Sequence, residues 1–261
     1  MEVIICEDAA QIGTIAADAV AALLTRKPAA VLGLATGSSP LAIYDELATR
    51  CAAGAITFGQ ARGFTLDEYV DLPADHPERY RNVIDTVFVS RVDFAPGAVA
   101  GPDGLASDIP ASCAAYEAAI REAGGVDLQI LGIGTDGHIG FNEPGSSLAS
   151  RTRIKTLTRQ TRVDNARFFD DDVDRVPTHC LTQGLGTIMD ARHVILVATG
   201  PNKAEAVHQL VEGPVSAMWP GTILQHHQHV TVLLDGSAAR RLQLADYYRK
   251  TYLAKPDWQG I

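Results

Sequence analysis

Four cysteines in 261 residues, Cys6, Cys51, Cys113 and Cys180, are too scattered to make a C-x-x-C pair or a Cys/His set with zinc spacing. That scarcity excludes a disulfide-stapled scaffold and a structural zinc site, and leaves buried free thiols as the expectation. Basic charge is also short: Lys and Arg number 22 against 31 Asp and Glu, a formal net charge of −9. A broad nucleic-acid or anionic-membrane surface is thereby excluded as the main partner, and any anion site has to be local. Long apolar runs are missing as well. None reaches the ~18 residues that a bilayer span needs, and the start, MEVIICED, carries no basic leader. The expectation is a soluble, cytoplasmic protein with no membrane partner. Internal repeats, low-complexity tracts and Gly/Ser linkers are absent too, so a single domain over residues 1–261 is the simplest organisation.

What the chain does have is alternation. Strand-like apolar runs at residues 3–6, 29–34, 62–66, 128–132, 193–198 and 230–234 are separated by segments of helical period. Such βαβ units imply an α/β fold: a doubly wound, mostly parallel sheet flanked by helices, three-layered and Rossmann-like. The first helix has Asp8 and Gln11 as a capping pair and Ile12, Ile15, Ala19, Ala22 and Leu23 on one face, and should end near Lys27-Pro28. Residues 144–177 show no clear periodicity and are expected to be mobile. They carry Arg151, Arg153, Lys155, Arg159, Arg162 and Arg167 against one acid, Asp164, followed by Asp170-Asp171-Asp172. This is either a site for an anion or a solvated face whose arginines pair with those aspartates. His226, His227 and His229 precede a strand without an acidic or thiol companion, and read as a solvated loop rather than a metal site.

Chemistry concentrates in residues 132–144, GIGTDGHIGFNEP, directly after an apolar run. Asp136, His138 and Glu143 fall in one glycine-rich turn beyond a strand, where open α/β sheets bind ligands. Each alone has an ordinary structural reading: a turn-fixing Asp, a core His, a surface Glu. Clustered titratable groups mark sites. The run also spells G-x-G-x-x-G, but no helix start follows Gly137 and no acid lies about 20 residues on, so a dinucleotide cofactor is not expected.

Two further turns suit a phosphate. Thr36, Gly37, Ser38 and Ser39 follow the strand ending at Leu34, with Ser39 placed to cap a helix and Pro40 to open it. The free N–H groups of such a turn make an anion cradle. The second turn, residues 199–203, puts Lys203 at a helix N-terminus, where a cation opposes the helix dipole unless an anion lies beside it.

With these residues assembled, the chain resembles the glucosamine-6-phosphate deaminases, of the glucosamine/galactosamine-6-phosphate isomerase family. The likeness covers nearly the whole chain and rests on LATGSSP at residues 34–40, FTLDEYV at 64–70, the DGHIGFNEP run, SRTRIKT at 150–156, and the stretches 162–169 and 213–219. It implies an enzyme that converts glucosamine 6-phosphate and water to fructose 6-phosphate and ammonia, with no metal or cofactor. By the same resemblance Asp67 would move a proton between C2 and C1 of the opened sugar. His138 would shuttle the proton in ring opening, oriented by Asp136 and Glu143. Ser38, Ser39, Arg167 and Lys203 would hold the phosphate, with residues 157–177 closing as a lid. Allosteric members bind N-acetylglucosamine 6-phosphate at a site whose matching residues here are Ser146, Ser147, Arg153, Lys155 and Thr156. Their C-terminal tyrosine has no secure counterpart, because Tyr247 and Tyr248 do not fall into register. The family commonly forms hexamers.

Two alternatives stand beside this one. A 6-phosphogluconolactonase would share the fold, yet lactonases tend to have Ser-Leu-Phe-Pro where this chain has Phe141-Asn142-Glu143-Pro144, and Asp-Glu-Arg where it has Asp67-Glu68-Tyr69. A non-catalytic sugar-phosphate sensor would need a DNA-reading module, for which the sequence leaves no room before Val3 or after the last helix.

Overall fold

The computed structural model, which describes residues 1–256 and 258–261, begins with β1 (Glu2–Cys6) leading into α1 (Ala9–Arg26). Asp8 Oδ1 accepts the N–H of Gln11 at 2.8 Å, and Gln11 Oε1 accepts that of Glu7 at 2.7 Å, so the expected capping pair forms. The buried face of α1 differs from the one expected. Ile12 is on it, but its other members are Gly13, Ala16, Ala17, Val20 and Leu24, while Ile15, Ala19 and Leu23 are only partly buried and Ala22 is exposed. The reason is the approach of α2 (Leu41–Ala52): a Cβ on Gly13 would lie 2.5 Å from the Ala42 carbonyl oxygen, so small residues, not the largest apolar ones, define the contact.

Between α1 and α2 lies β2 (Val31–Leu34). Ser39 does not cap α2. Pro40 takes that position without a side-chain cap bond, its carbonyl accepting from Ile43 and Tyr44. The chain continues through β3 (Arg62–Thr65), β4 (Asp67–Tyr69), α3 (Tyr80–Val87), β5 (Val99–Ala100), α4 (Ile109–Glu122), β6 (Leu128–Leu131) and β7 (Arg153–Thr156). After these come α5 (Arg159–Asn165), β8 (His179–Thr182), α6 (Leu185–Met189), β9 (His193–Ala198), α7 (Ala204–Glu212), β10 (Val230–Asp235) and α8 (Ala245–Leu253).

Seven strands form one parallel sheet in the order β1-β10-β9-β6-β2-β3-β5, which contains all six expected strands. Strands β2, β6 and β9 are buried at every position, the mark of a sheet covered by helices on both faces. From β2 the chain steps outward to β3 and β5, then returns to the other side of β2 at β6 and goes on to β9 and β10. The switch point thus lies between β2 and β6, and a crevice opens beyond their carboxyl ends.

A second, antiparallel sheet, β4-β8-β7, was not expected. It pairs Asp67 with Thr182 and Thr182 with Arg153, and has its own small core of Tyr69, Leu72, Phe141, Leu157, Ala166, Phe169, Val176 and Cys180. Glu117 of α4 ties this sheet to the body. It accepts from the Thr152 N–H at 2.9 Å and Oγ1 at 2.6 Å and from Thr187 Oγ1, and pairs with Arg151 at 2.6 Å.

Half of the basic run, Arg151, Arg153 and Arg162, is structural. Arg151 also bonds Asp190, Arg162 donates to the carbonyls of Val173 and Val176, and Arg175 pairs with Asp170. The histidine cluster is a solvated loop in part: His226 and His229 are exposed, and His227 departs from the expectation. His227 is buried, Nε2 facing the Ala191 carbonyl at 2.7 Å and Nδ1 accepting from the His229 N–H, while the His229 ring stacks on His193 at 3.7 Å. Of the four free thiols, Cys6, Cys113 and Cys180 are buried and Cys51 is half-buried.

Candidate active site

A cavity of about 530 Å³ opens at the switch point, lined by the turns after β2, β6 and β9, by β4 and by the segment around α5. Asp67 and His138 both line it, although 71 residues of sequence separate them.

Asp67 and Glu68 show how the strand period assigns roles. Glu68 is pinned by the N–H groups of Tyr69, Tyr80 and Arg81 at 2.9–3.0 Å and fixes the start of α3. Its neighbour points to the opposite face, into the cavity. The Asp67 carboxylate has no hydrogen-bond or ion-pair partner among the described residues, and it is 6% exposed. Burial, helped by the charge of Glu68, pushes it up to about 8. It is therefore a carboxyl group with a weak hold on its charge and no structural task.

His138 is placed by the glycines before it. The Gly134 N–H donates to the His138 carbonyl at 2.8 Å, and a Cβ on Gly134 would lie 2.3 Å from the imidazole ring. Gly137 (φ 81°) opens no helix, so the G-x-G-x-x-G spelling shapes a pocket for a ring rather than a seat for a pyrophosphate. His138 Nδ1 lies 2.7 Å from Asp136 Oδ1 and 3.6 Å from Glu143 Oε2. Nε2, with no partner among the described residues, is the nitrogen left for a ligand. Burial alone would raise Asp136, but the hydrogen bond and charge of His138 outweigh it and hold that carboxyl at about 2. Glu143, 2% exposed, is pushed upward by burial. Its Oε1 accepts the Thr158 N–H at 3.1 Å at the root of α5, whereas Oε2 is buried without a hydrogen-bond partner. The three side chains offer ligand atoms within 4.8 Å of one another, a chemistry open to a divalent cation. At 2.7 Å, however, the Asp136–His138 contact is a hydrogen bond, and an ion would have to take the place of its proton.

The same cavity also has groups that suit an anion. Thr36, Gly37 (φ 85°), Ser38 and Ser39 line it, and the N–H groups of Gly37, Ser38 and Ser39 have no partner among the described residues. Since Ser39 is not a helix cap, its hydroxyl is free for a ligand. Across from this turn lie Lys203, at the start of α7, and Arg167. Neither makes an ion pair within 4 Å among the described residues; Arg167 rests 4.7 Å over the Phe168 ring. Burial lowers Lys203, with Asp164 partly restoring it and Arg167 lowering it further. An uncharged cradle of donors facing two unpaired cations is what a phosphate requires.

The residues matched to an effector site lie elsewhere, and none lines the cavity. Ser146 is buried, its hydroxyl donating to the Glu143 carbonyl at 2.6 Å; Ser147 is exposed; Arg153 donates to Asn142 Oδ1 at 3.0 Å. Arg153 and Lys155 share one face of β7, and Thr156 is on the other. Sequence reasoning missed the lining residues Glu78, Tyr80, Thr135, Phe141, Thr161 and Asp164. Thr135 and Phe141 had a signal, being inside the glycine-rich turn, and Thr161 and Asp164 had a weaker one, being inside the expected lid.

Fold and site together define a three-layer α/β protein that joins acid–base groups to an anion cradle in one small-molecule cavity. The chain belongs to the family described as glucosamine-6-phosphate isomerases/6-phosphogluconolactonase, which it matches over residues 7–233. It is 80% identical over the full length of both chains to a glucosamine-6-phosphate deaminase of Mycolicibacterium smegmatis, and 59% identical, again over both full lengths, to one of Streptomyces coelicolor. Among solved structures, a monomeric glucosamine-6-phosphate deaminase superposes with a TM-score of 0.89 at 41% identity, over 92% of this chain and 99% of that one. A 6-phosphogluconolactonase from Trypanosoma cruzi, with a TM-score of 0.75 at 22% identity over 93% and 97% of the two chains, shares the fold alone.

Proposed function

We propose that this protein is an isomerising deaminase that converts glucosamine 6-phosphate and water to fructose 6-phosphate and ammonia. The observation that carries the reading is the convergence of Asp67 and His138 on one cavity that also holds the free N–H groups of residues 37–39 together with Lys203 and Arg167. The phosphate is held by Thr36, Gly37, Ser38 and Ser39 together with the two cations. His138 Nε2 takes the proton of the O1 hydroxyl and returns one to the ring oxygen, opening the hemiacetal; Asp136 holds the imidazole through Nδ1, and Glu143 adds negative charge beside it. Asp67, once ionised, removes the proton from C2 and delivers it to C1. The resulting C2 imine adds water and releases ammonia. The hydrophobic environment that raises Asp67 also makes its carboxylate a stronger base than one in water. Residues 157–177 act as a lid that excludes water from the reacting carbon.

Incubation with glucosamine 6-phosphate should yield ammonia and fructose 6-phosphate together, with little turnover of unphosphorylated glucosamine. Lactone hydrolysis without ammonia would favour the lactonase reading instead. Lys203→Ala is expected to raise KM for glucosamine 6-phosphate by about 10- to 100-fold, the loss of a charge-assisted bond. Turnover of unphosphorylated glucosamine should not change with it, and equal losses on both substrates would move the phosphate elsewhere.

Regulation and assembly are included by resemblance. The proposed effector is N-acetylglucosamine 6-phosphate, acting through Ser146, Ser147, Arg153, Lys155 and Thr156. It should lower KM, and hyperbolic kinetics untouched by it would remove the site. A homo-oligomer, hexameric by resemblance, belongs to the same proposal, against the monomeric solved relative. Sedimentation at 27.8 kDa would decide for the monomer. No described helix is long and apolar enough to cross a membrane. The unpaired cysteines suit a reducing compartment, and the cytoplasm is the proposed location.

A further inference from the structure

Asp164 has no part in the chemistry above, yet it lines the same cavity as Lys203 and Arg167. It sits on α5, within the proposed lid, and both its oxygens are engaged. Oδ2 accepts from Thr135 Oγ1 at 3.1 Å, across to the turn that carries His138, and Oδ1 accepts from Gln160 Nε2 at 2.8 Å, one helical turn back. Two bonds hold this exposed carboxylate in the cavity that Lys203 and Arg167 also line, without an ion pair to either among the described residues. A fixed negative charge in that place weakens the binding of a phosphate, which brings about two negative charges of its own. The acid is therefore not explained as a substrate contact. It is explained as a contact between two elements of the cavity wall, α5 and the turn that carries His138, made by a carboxylate whose charge shares the cavity with Lys203 and Arg167.

We propose that Asp164 is a lid latch that opposes the phosphate: through Thr135 it docks the lid on the His138 turn, and its charge weakens the binding of an entering phosphate in the same cavity. Asp164 thereby sets both phosphate affinity and the ease of lid opening. The inference rests on the phosphate assignment above, and inorganic phosphate tests it without any turnover.

Asp164→Asn keeps an acceptor for Thr135 but removes the charge; Asp164→Ala removes both. Titration calorimetry with inorganic phosphate should give a Kd about three- to tenfold lower in each variant than in the wild type, a difference that shrinks as ionic strength rises. Limited proteolysis should cut residues 157–177 of ligand-free Asp164→Ala faster than those of the wild type, with added phosphate restoring protection. Phosphate affinity equal to or weaker than wild type in both variants would overturn the proposal, as would unchanged proteolysis of Asp164→Ala. A wild type that binds no inorganic phosphate while still deaminating glucosamine 6-phosphate would remove the phosphate assignment, and Asp164's role with it. If deamination alone fails, the reading of the reaction falls while the phosphate comparison still stands.

Discussion

Asp67→Asn is expected to lower kcat for deamination about 10³-fold while sugar-phosphate binding persists. The amide has the shape of the carboxylate but cannot take a proton from C2, and since the Asp67 carboxylate has no hydrogen-bond or ion-pair partner among the described residues, the substitution breaks no such bond. The same burial fixes the pH dependence. With the free carboxyl near 8, its ionised fraction grows from pH 6 to pH 8, so wild-type kcat/KM should rise across that interval. Stability should run the other way. An acid raised in the folded state above its ordinary value of 3.8 binds its proton more tightly folded than unfolded, so its cost to folding increases as pH rises from about 4 to about 8. Asp67→Asn should therefore raise Tm more at pH 8 than at pH 5; for a protein of this size each kcal/mol is worth about 2–4 °C. Retained turnover would remove Asp67 from its role. A Tm gain that is larger at pH 5 would mean that burial is not what raises it.

How much of this was legible in the sequence depended on how local each feature is. Six of the seven strands of the parallel sheet could be read because burial on both faces leaves continuous apolar runs, as at residues 193–198, whereas β5, two residues long, leaves none. Strand β7 could not: its Arg153 and Lys155 made a charge run out of what is an edge strand of four residues. The face of α1 was misjudged because side-chain size was weighed where the missing Cβ of Gly13 decides how near α2 comes. The catalytic turn was legible since Asp136, His138 and Glu143 lie within eight residues. Their meeting with Asp67 follows from the order β6-β2-β3 and from the second sheet, which no local pattern reveals. The contact between Asp164 and Thr135, 29 residues apart, was invisible for the same reason.

Glu117 makes the same point, and the largest expected loss of stability belongs to it. On α4 it reads as an ordinary surface acid, yet it is 6% exposed and serves the Thr152 N–H, the Thr152 hydroxyl and the Thr187 hydroxyl. Those bonds outweigh the cost of burial and lower its carboxyl below the ordinary value. Glu117→Ala should cost about 3–5 kcal/mol, read as a fall in the urea midpoint at pH 7, because it strands buried donors as well as removing a charge. Arg151 offers the control. Its side chain is 46% exposed, so its ion pair with Glu117 is screened by water, and Arg151→Ala should cost no more than about 1 kcal/mol. Equal losses in the two variants would mean that the ion pair, not the buried donors, holds the sheet. Since Thr152 leads into β7, and β7 pairs through Thr182 with the strand that begins at Asp67, loosening this clamp should also lower kcat at temperatures where the protein is still folded. A folded Glu117→Ala protein with wild-type kcat would uncouple the position of the catalytic acid from the sheet that carries it.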